Sequence, residues 1–189
     1  MKKYIVSVIC LGNMARSPIA AYCLNREIAK HKMNNNVIVL SRGITGLANT
    51  NPNKYTHPKY YVEVWKHLEP LLKRYKINLD GHHSRVVTET HLNKAVLVLP
   101  VHSNVLHRTP NGLKELFPHY TWKMRLLREL VGKYQDIEDI GESTSTHEFR
   151  DCIEIIDETA RLGVGYIFDW IDNIEKNKQI IINQRKGKQ

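Results

Sequence analysis

The stretch CLGNMARSP, Cys10–Pro18, decides the reading of this chain. A cysteine closes the apolar run YIVSVIC, Tyr4–Cys10, and Arg16, Ser17 and Pro18 follow a short loop. The run is rich in β-branched residues and bounded by a glycine-containing loop, as expected of a strand buried on both faces of a parallel sheet. Proline is favoured in the first helical turn and serine at the cap, so Ser17 and Pro18 predict a helix start that gathers the backbone N–H groups of residues 12–17. Such a terminus holds anions. Gly12 lets the backbone turn, and Arg16 offers a planar fork of donors suited to two oxygens of a tetrahedral anion. The same positive field favours ionisation of Cys10, which makes it a candidate nucleophile. The plain alternative is a buried cysteine ending a core strand, with Arg16 in solvent.

Cys10, Gly12, Asn13, Arg16, Ser17 and Pro18, after a strand and before a helix, resemble the phosphate loop of the low-molecular-weight protein tyrosine phosphatases. The resemblance implies an α/β fold, a four-stranded parallel sheet flanked by helices, with the phosphate loop at the carboxyl end of the first strand. It implies a catalytic Cys10 and Arg16, with Leu11, Gly12, Asn13, Met14, Ala15 and Ser17 forming the loop around phosphate or sulfate. It implies no cofactor and no metal.

Composition sets wider bounds. The chain has 189 residues, enough for one domain with a sizeable core; we expect a single domain over 1–180 and a basic tail over 181–189. Lys and Arg outnumber Asp and Glu 28 to 19, a net charge of +9 that favours anionic partners without choosing among them. No nucleic-acid reading motif accompanies that charge, so specific nucleic-acid binding is not expected. The cysteines, Cys10, Cys23 and Cys152, form neither a disulfide framework nor a metal-ligand spacing, which suits a reducing compartment. The start MKKYIVSVICL is not read as a signal peptide, because Gly12, Asn13 and Arg16 stand where a cleavage site belongs. No apolar run approaches the roughly 20 residues of a membrane span. A cytoplasmic location follows as an expectation, with export by another route left open.

Further along, Ile19, Leu24 and Ile28 among alanines predict a helix from Pro18 to about His31, on which Cys23 packs. Val37–Ser41 reads as the second strand. Ser41-Arg42-Gly43 with Thr45 resembles the segment that follows this strand in the family, where a small residue is common at the place of Arg42. Arg42 either adds charge near the pocket or faces solvent, the usual state of an arginine. Residues 47–58 read as a loop, and Tyr61, Val64, Trp65, Leu68, Leu71, Leu72 and Tyr75 recur at helical spacing, with a kink expected near Pro70. The whole 47–76 region looks longer than in typical members; Tyr55 and Tyr60 are its candidates for a pocket wall.

The resemblance makes His82 the histidine that supports the loop asparagine; a surface histidine in a turn is the alternative. Thr88 opens a short helix, and Ala95–Leu99 is a third strand. The family follows that strand with Met-Asp, whereas Leu99-Pro100 stands here, so an acidic helper is missing. Asn111 and Gly112 mark a turn, Leu113–Phe117 a helical turn, and Trp122–Leu127 the fourth strand by resemblance, although its pattern alone also allows a helix. The family carries its general acid on a loop before the last helix. Asp139 matches, with Asp136 and Glu138 as competitors; Ile140 and Gly141 replace the proline and aromatic residue usual there. Ser145–Glu148 fits a capping box before a final amphipathic helix.

The implied reaction is hydrolysis of a phosphate monoester, on a phosphorylated protein or a small ester and most naturally protein phosphotyrosine, through a phosphocysteine. Alternatives are a non-catalytic phosphate-binding module of the same fold, or arsenate reduction, which shares the loop but needs relay cysteines. Phosphoarginine phosphatases tend to carry Thr where Leu11 stands. Ala15 replaces the second loop cysteine of many tyrosine-type members.

Overall fold

A computed structural model describes residues 3–31, 36–47, 50–108, 111–141, 143 and 145–186, with side chains to residue 176. Three parallel strands, β1 (Tyr4–Cys10), β2 (Val37–Gly43) and β3 (Ala95–Pro100), lie in the order β2-β1-β3. The first apolar run is thus the central strand, paired along its length, with Val6 opposite both Val39 and Leu97.

The two-residue period of β1 divides the core. Val6, Val8 and Cys10 face one side, against α1 (Arg16–Ile28) and α6 (Thr146–Lys186). Ile9 faces the other, with Ile44, Leu92, Val98 and Met124. Burial on both faces from Val6 onward explains the nearly continuous apolar run. Ser7, the polar member, is fully buried and bonds His91 Nε2 at 2.8 Å from α3 (Glu89–Lys94). Burial pushes the His91 imidazole down to about 4, with the Arg42 charge the next contributor.

The helix α2 (Val62–Arg74) buries Leu68, Leu71 and Leu72 and continues through Pro70. Two short helices, α4 (Ser103–His107) and α5 (Leu113–Leu116), follow β3. The final helix runs past Gly163, Gly165 and residue 180 as one element. Among the described residues no helix is long and apolar enough to cross a membrane.

Two expectations are corrected. The fourth strand is reduced to a single parallel bridge between Val98 and Met124. Residues on either side are wound into 3-10 turns, Pro118–Lys123 and Leu127–Val131, and only Arg125 N continues the pairing, donating to Val98 O at 3.0 Å. Lys123 holds the first turn in place from within the core, its Nζ donating to Leu92 O and Ala95 O at 2.6 and 2.7 Å. Glu129 accepts from Leu126 N at 2.7 Å at the start of the second turn. The sheet has three strands. Ser17 is also not the cap of α1: the cap position is Ala15, without a side-chain bond, and Ser17 lies inside the first turn with its hydroxyl directed elsewhere.

The outer side of β2 is occupied. Asn25 pairs both backbone groups of Val39, accepting from its N at 2.9 Å and donating to its O at 2.8 Å. Arg42 Nη1 donates to Ser41 O at 2.6 Å. Gly43 N donates to Arg85 O at 2.9 Å, and Val87 N to Gly43 O at 2.8 Å.

Candidate active site

Cys10 ends β1, and α1 begins at Arg16, so the intervening residues wrap around the sulfur at the carboxyl edge of the sheet. Asn13 N donates to Cys10 Sγ at 3.1 Å, and Ser17 Oγ lies 3.0 Å from the same sulfur. Ser17 has one proton to give. Its oxygen accepts from Asn13 Nδ2 at 3.0 Å, and its other neighbour is Arg42 O at 3.2 Å. A negative sulfur takes that proton in preference to a neutral carbonyl, since charge-assisted bonds are about twice as strong.

Asn13 adopts the left-handed region, φ 54°, a conformation that asparagine tolerates better than most residues. Its carbonyl accepts from His82 Nε2 at 2.7 Å, and its side-chain Oδ1 accepts from Arg85 N at 2.8 Å. A carbonyl cannot donate, so His82 carries its proton on Nε2. Burial holds the His82 imidazole below its ordinary range. Gly43 closes the arrangement from β2: a Cβ there would meet Leu11 O at 2.8 Å and Asn13 N and Cβ at 2.9 Å. Asn53 Nδ2 donates to Gly12 O at 2.6 Å, and Thr45 Oγ1 to Leu11 O at 2.7 Å. The loop is therefore bonded from four directions, three of them outside its own sequence.

The Arg16 side chain is 5% exposed, and its guanidinium reaches across to the loop before α6. Nη1 donates to Ile137 O at 3.0 Å, and Nη2 lies 2.6 Å from Asp139 Oδ2. The Asp139 side chain is 54% exposed, at the mouth, with Oδ1 accepting from Gly141 N at 3.1 Å. Cys10, Arg16 and Asp139 line one cavity of about 760 Å³, together with Leu11, Gly12, Met14 and Ala15. The competing acids point elsewhere. Asp136 accepts from Ser103 N and Oγ at 2.5 and 2.6 Å, which ties it to the start of α4. Glu138 is exposed, 3.7 Å from His102 Nε2. Asn13, Ser17 and His82 lie behind the cavity wall, as support.

The other two cysteines sit in a different environment. Burial pushes the thiols of Cys23 and Cys152 up to about 12. Neither has donors arranged around its sulfur as Cys10 does. Arg42 is half-buried rather than fully solvated, lining a separate cavity of about 400 Å³ with His82, His83 and Arg85. Its burial, and the charge of Arg85, hold its guanidinium below the ordinary range.

Tyr61, Asn53, Thr50 and Arg108 also line the main cavity, and sequence reasoning did not place them there. Tyr61 fits the α2 stripe by its spacing, whereas Tyr55 and Tyr60, the expected wall, are exposed beside it, the Tyr55 ring tilted to Tyr60 at 5.5 Å and edge-on to Tyr61 at 5.6 Å between centroids. Among the described residues no group of three or more His, Cys, Asp or Glu side chains could hold a metal.

A family model described as low molecular weight phosphotyrosine protein phosphatase matches residues 5–179. The chain belongs to this family. Solved structures share the fold. YwlE arginine phosphatase from Geobacillus stearothermophilus superposes with a TM-score of 0.64 at 21% identity, over 94% of this chain and 96% of that one. Vibrio vulnificus Wzb in complex with benzylphosphonate gives 0.64 at 20% identity, over 87% and 99%. A YwlE arginine phosphatase mutant with a phosphorylated active-site serine gives 0.64 at 24% identity, over 86% and 95%. No curated protein matches the chain. As a phosphatase of this family, it acts on phosphorylated substrates.

Proposed function

We propose that this family member hydrolyses protein phosphotyrosine through a phosphocysteine, with Cys10 as nucleophile, Arg16 as phosphate clamp and Asp139 as acid and base. The carrying observation is the convergence of Asn13 N and Ser17 Oγ on Cys10 Sγ in the cavity that also holds Arg16 and Asp139. The thiolate attacks phosphorus, and the bond to the ester oxygen breaks as Asp139 gives that oxygen its proton. Arg16 and the loop amides hold the three equatorial oxygens while charge redistributes. Water then attacks phosphorus, Asp139 takes its proton, and the thiolate leaves with the Ser17 hydroxyl bonded to it.

The Arg16–Asp139 pair adds a step. A phosphate entering the loop competes with Asp139 for the guanidinium, so binding frees the carboxylate, which takes up a proton from solvent as it turns toward the ester oxygen. The substrate itself thereby assembles the acid. The relatives' names support the chemistry: a phosphorylated active-site residue is what the YwlE mutant carries, and benzylphosphonate, bound by Wzb, is an aryl phosphate analogue. Arsenate reduction needs a second reactive thiol, and the buried Cys23 and Cys152 weigh against it. Three free cysteines suit the cytoplasm.

The test is turnover of aryl phosphates by wild type, Cys10→Ser and Asp139→Asn. Cys10→Ser is expected to lose turnover while keeping its circular dichroism spectrum. Asp139→Asn should lose about 10²- to 10³-fold in kcat on phenyl phosphate and less on p-nitrophenyl phosphate, whose leaving group needs little protonation. Undiminished turnover by Cys10→Ser would overturn the scheme.

A further inference from the structure

We infer that the site reads a second negative charge on its substrate: an acidic side chain next to the phosphorylated residue, taken by Arg108. This rests on the phosphatase reading above and extends it to the substrate's sequence. Arg108 lines the same cavity as Cys10, Arg16 and Asp139. It is exposed and forms no ion pair among the described residues, whereas Arg16 is paired with Asp139. A guanidinium at the rim of a phosphate site presents donors in a fixed fork that matches a carboxylate.

The backbone beneath Arg108 is firmly placed. Its N donates to Asn104 O at 3.1 Å, and its O accepts from Gly112 N at 2.5 Å. A Cβ on Gly112 would meet Arg108 N at 2.6 Å, so the chain closes this tightly only on a glycine. Arg108 is thus held against Gly112 while it lines the cavity.

Further cations stand next to residues of the cavity lining. Asn53 and Pro58 line the cavity, and the neighbouring Lys54 and Lys59 each hold an ammonium 5.2 Å from the centroid of Tyr55 and Tyr60 respectively. Neither lysine pairs with a carboxylate among the described residues. A cation in the cavity lining with others next to lining residues fits an extended acidic chain better than a compact ester. Near Asp139, Ile140 and Gly141 offer no aromatic wall, so charge rather than ring stacking is the contact left for selecting substrate on that side. The overall charge of +9 steers acidic chains in the same direction.

The experiment compares two phosphotyrosine peptides that differ only at the residues flanking phosphotyrosine, Glu in one and Gln in the other. Wild type is expected to favour the acidic peptide about fivefold in kcat/KM, mainly through KM, with most of the preference lost in 0.5 M NaCl. Arg108→Gln should bring the ratio below about twofold, and Arg108→Lys should restore part of it. Equal turnover of both peptides by wild type, or an unchanged ratio in Arg108→Gln, overturns the inference while leaving the phosphatase reading intact. If wild type hydrolyses neither peptide nor p-nitrophenyl phosphate, that reading has failed, and affinities of the same peptides for Cys10→Ser, with and without Arg108→Gln, decide the inference alone. A preference removed by Arg108→Gln supports it; equal or undetectable binding overturns it.

Discussion

The two walls of the cavity are built differently. The phosphate loop packs closely on Gly43 of β2 and is hydrogen-bonded to the 82–85 segment and to Asn53, through His82, Arg85 and the Asn53 amide. The acid-bearing loop meets it through Arg16, whose guanidinium holds Ile137 O and Asp139, and is tied to α4 by Asp136. One wall is braced around the loop itself, whereas the other is anchored at Ile137 and Ile140 in the core and by Ile137 N to Val101 O, leaving the exposed Asp139 between them. A cradle that stabilises charge must already be in position when the reaction begins. A proton donor serves many substrates better if it can move.

That contrast can be broken first on the rigid side. Gly43→Ala forces a methyl onto Leu11 and Asn13 at under 3 Å. We expect a loss of about 2–3 kcal/mol in stability from overpacking and about a hundredfold in kcat from displacement of the loop. Urea unfolding read beside p-nitrophenyl phosphate kinetics checks both; a variant with wild-type kinetics would show the loop to be less constrained than its bonds imply.

The next effect is acid sensitivity beneath the same wall. His91 titrates at about 4 in the fold against an ordinary 6.5, so below pH 6.5 the unfolded chain binds a proton that the native chain refuses. Its contribution is whole above pH 6.5 and is lost as pH falls to about 4. After allowance for partial solvent access we expect about 2 kcal/mol. His91→Gln, which keeps a partner for Ser7, should flatten the stability curve across that window; an equally steep curve would assign the effect to other groups.

The smallest effects distinguish the acids of the looser wall. Asp136→Asn weakens the charge-assisted bonds to Ser103 and should cost about 1 kcal/mol, with kcat falling a few-fold. Glu138→Gln should change neither stability nor kcat by a measurable amount. If Glu138→Gln matched the loss in Asp139→Asn, the assignment of the acid would have to move.

The sequence spoke most clearly where one local pattern carries both structure and chemistry. Cys10–Pro18 lies between a period-two run and a helical one, so its position at the edge of a sheet could be read directly. The fourth strand could not, because its fate depends on Lys123 bonding carbonyls of Leu92 and Ala95, some thirty residues away. Ser17 was misread as a cap for a similar reason. Serine before proline signals a helix start, but here the hydroxyl has a stronger partner in Cys10. Gly43 and Asn53 act on the loop from distant positions, and a lone glycine or asparagine in a polar stretch announces only a turn. Tyr61 shared the periodicity of α2, which concealed its place at the cavity. The signal for Arg108 was the glycine at 112, legible as a turn but silent about what the turn would hold.

One feature of the sheet bears on how the molecule behaves among its own copies. Every other residue of β2 directs its peptide groups away from β1, and Val39, Ser41 and Gly43 are among these. Val39 has both groups engaged by the Asn25 amide and Gly43 both by the 85–87 backbone, while the Ser41 carbonyl accepts from the Arg42 guanidinium. A second polypeptide approaching this border meets backbone groups already taken at Val39 and Gly43, so templated growth of the sheet is interrupted there.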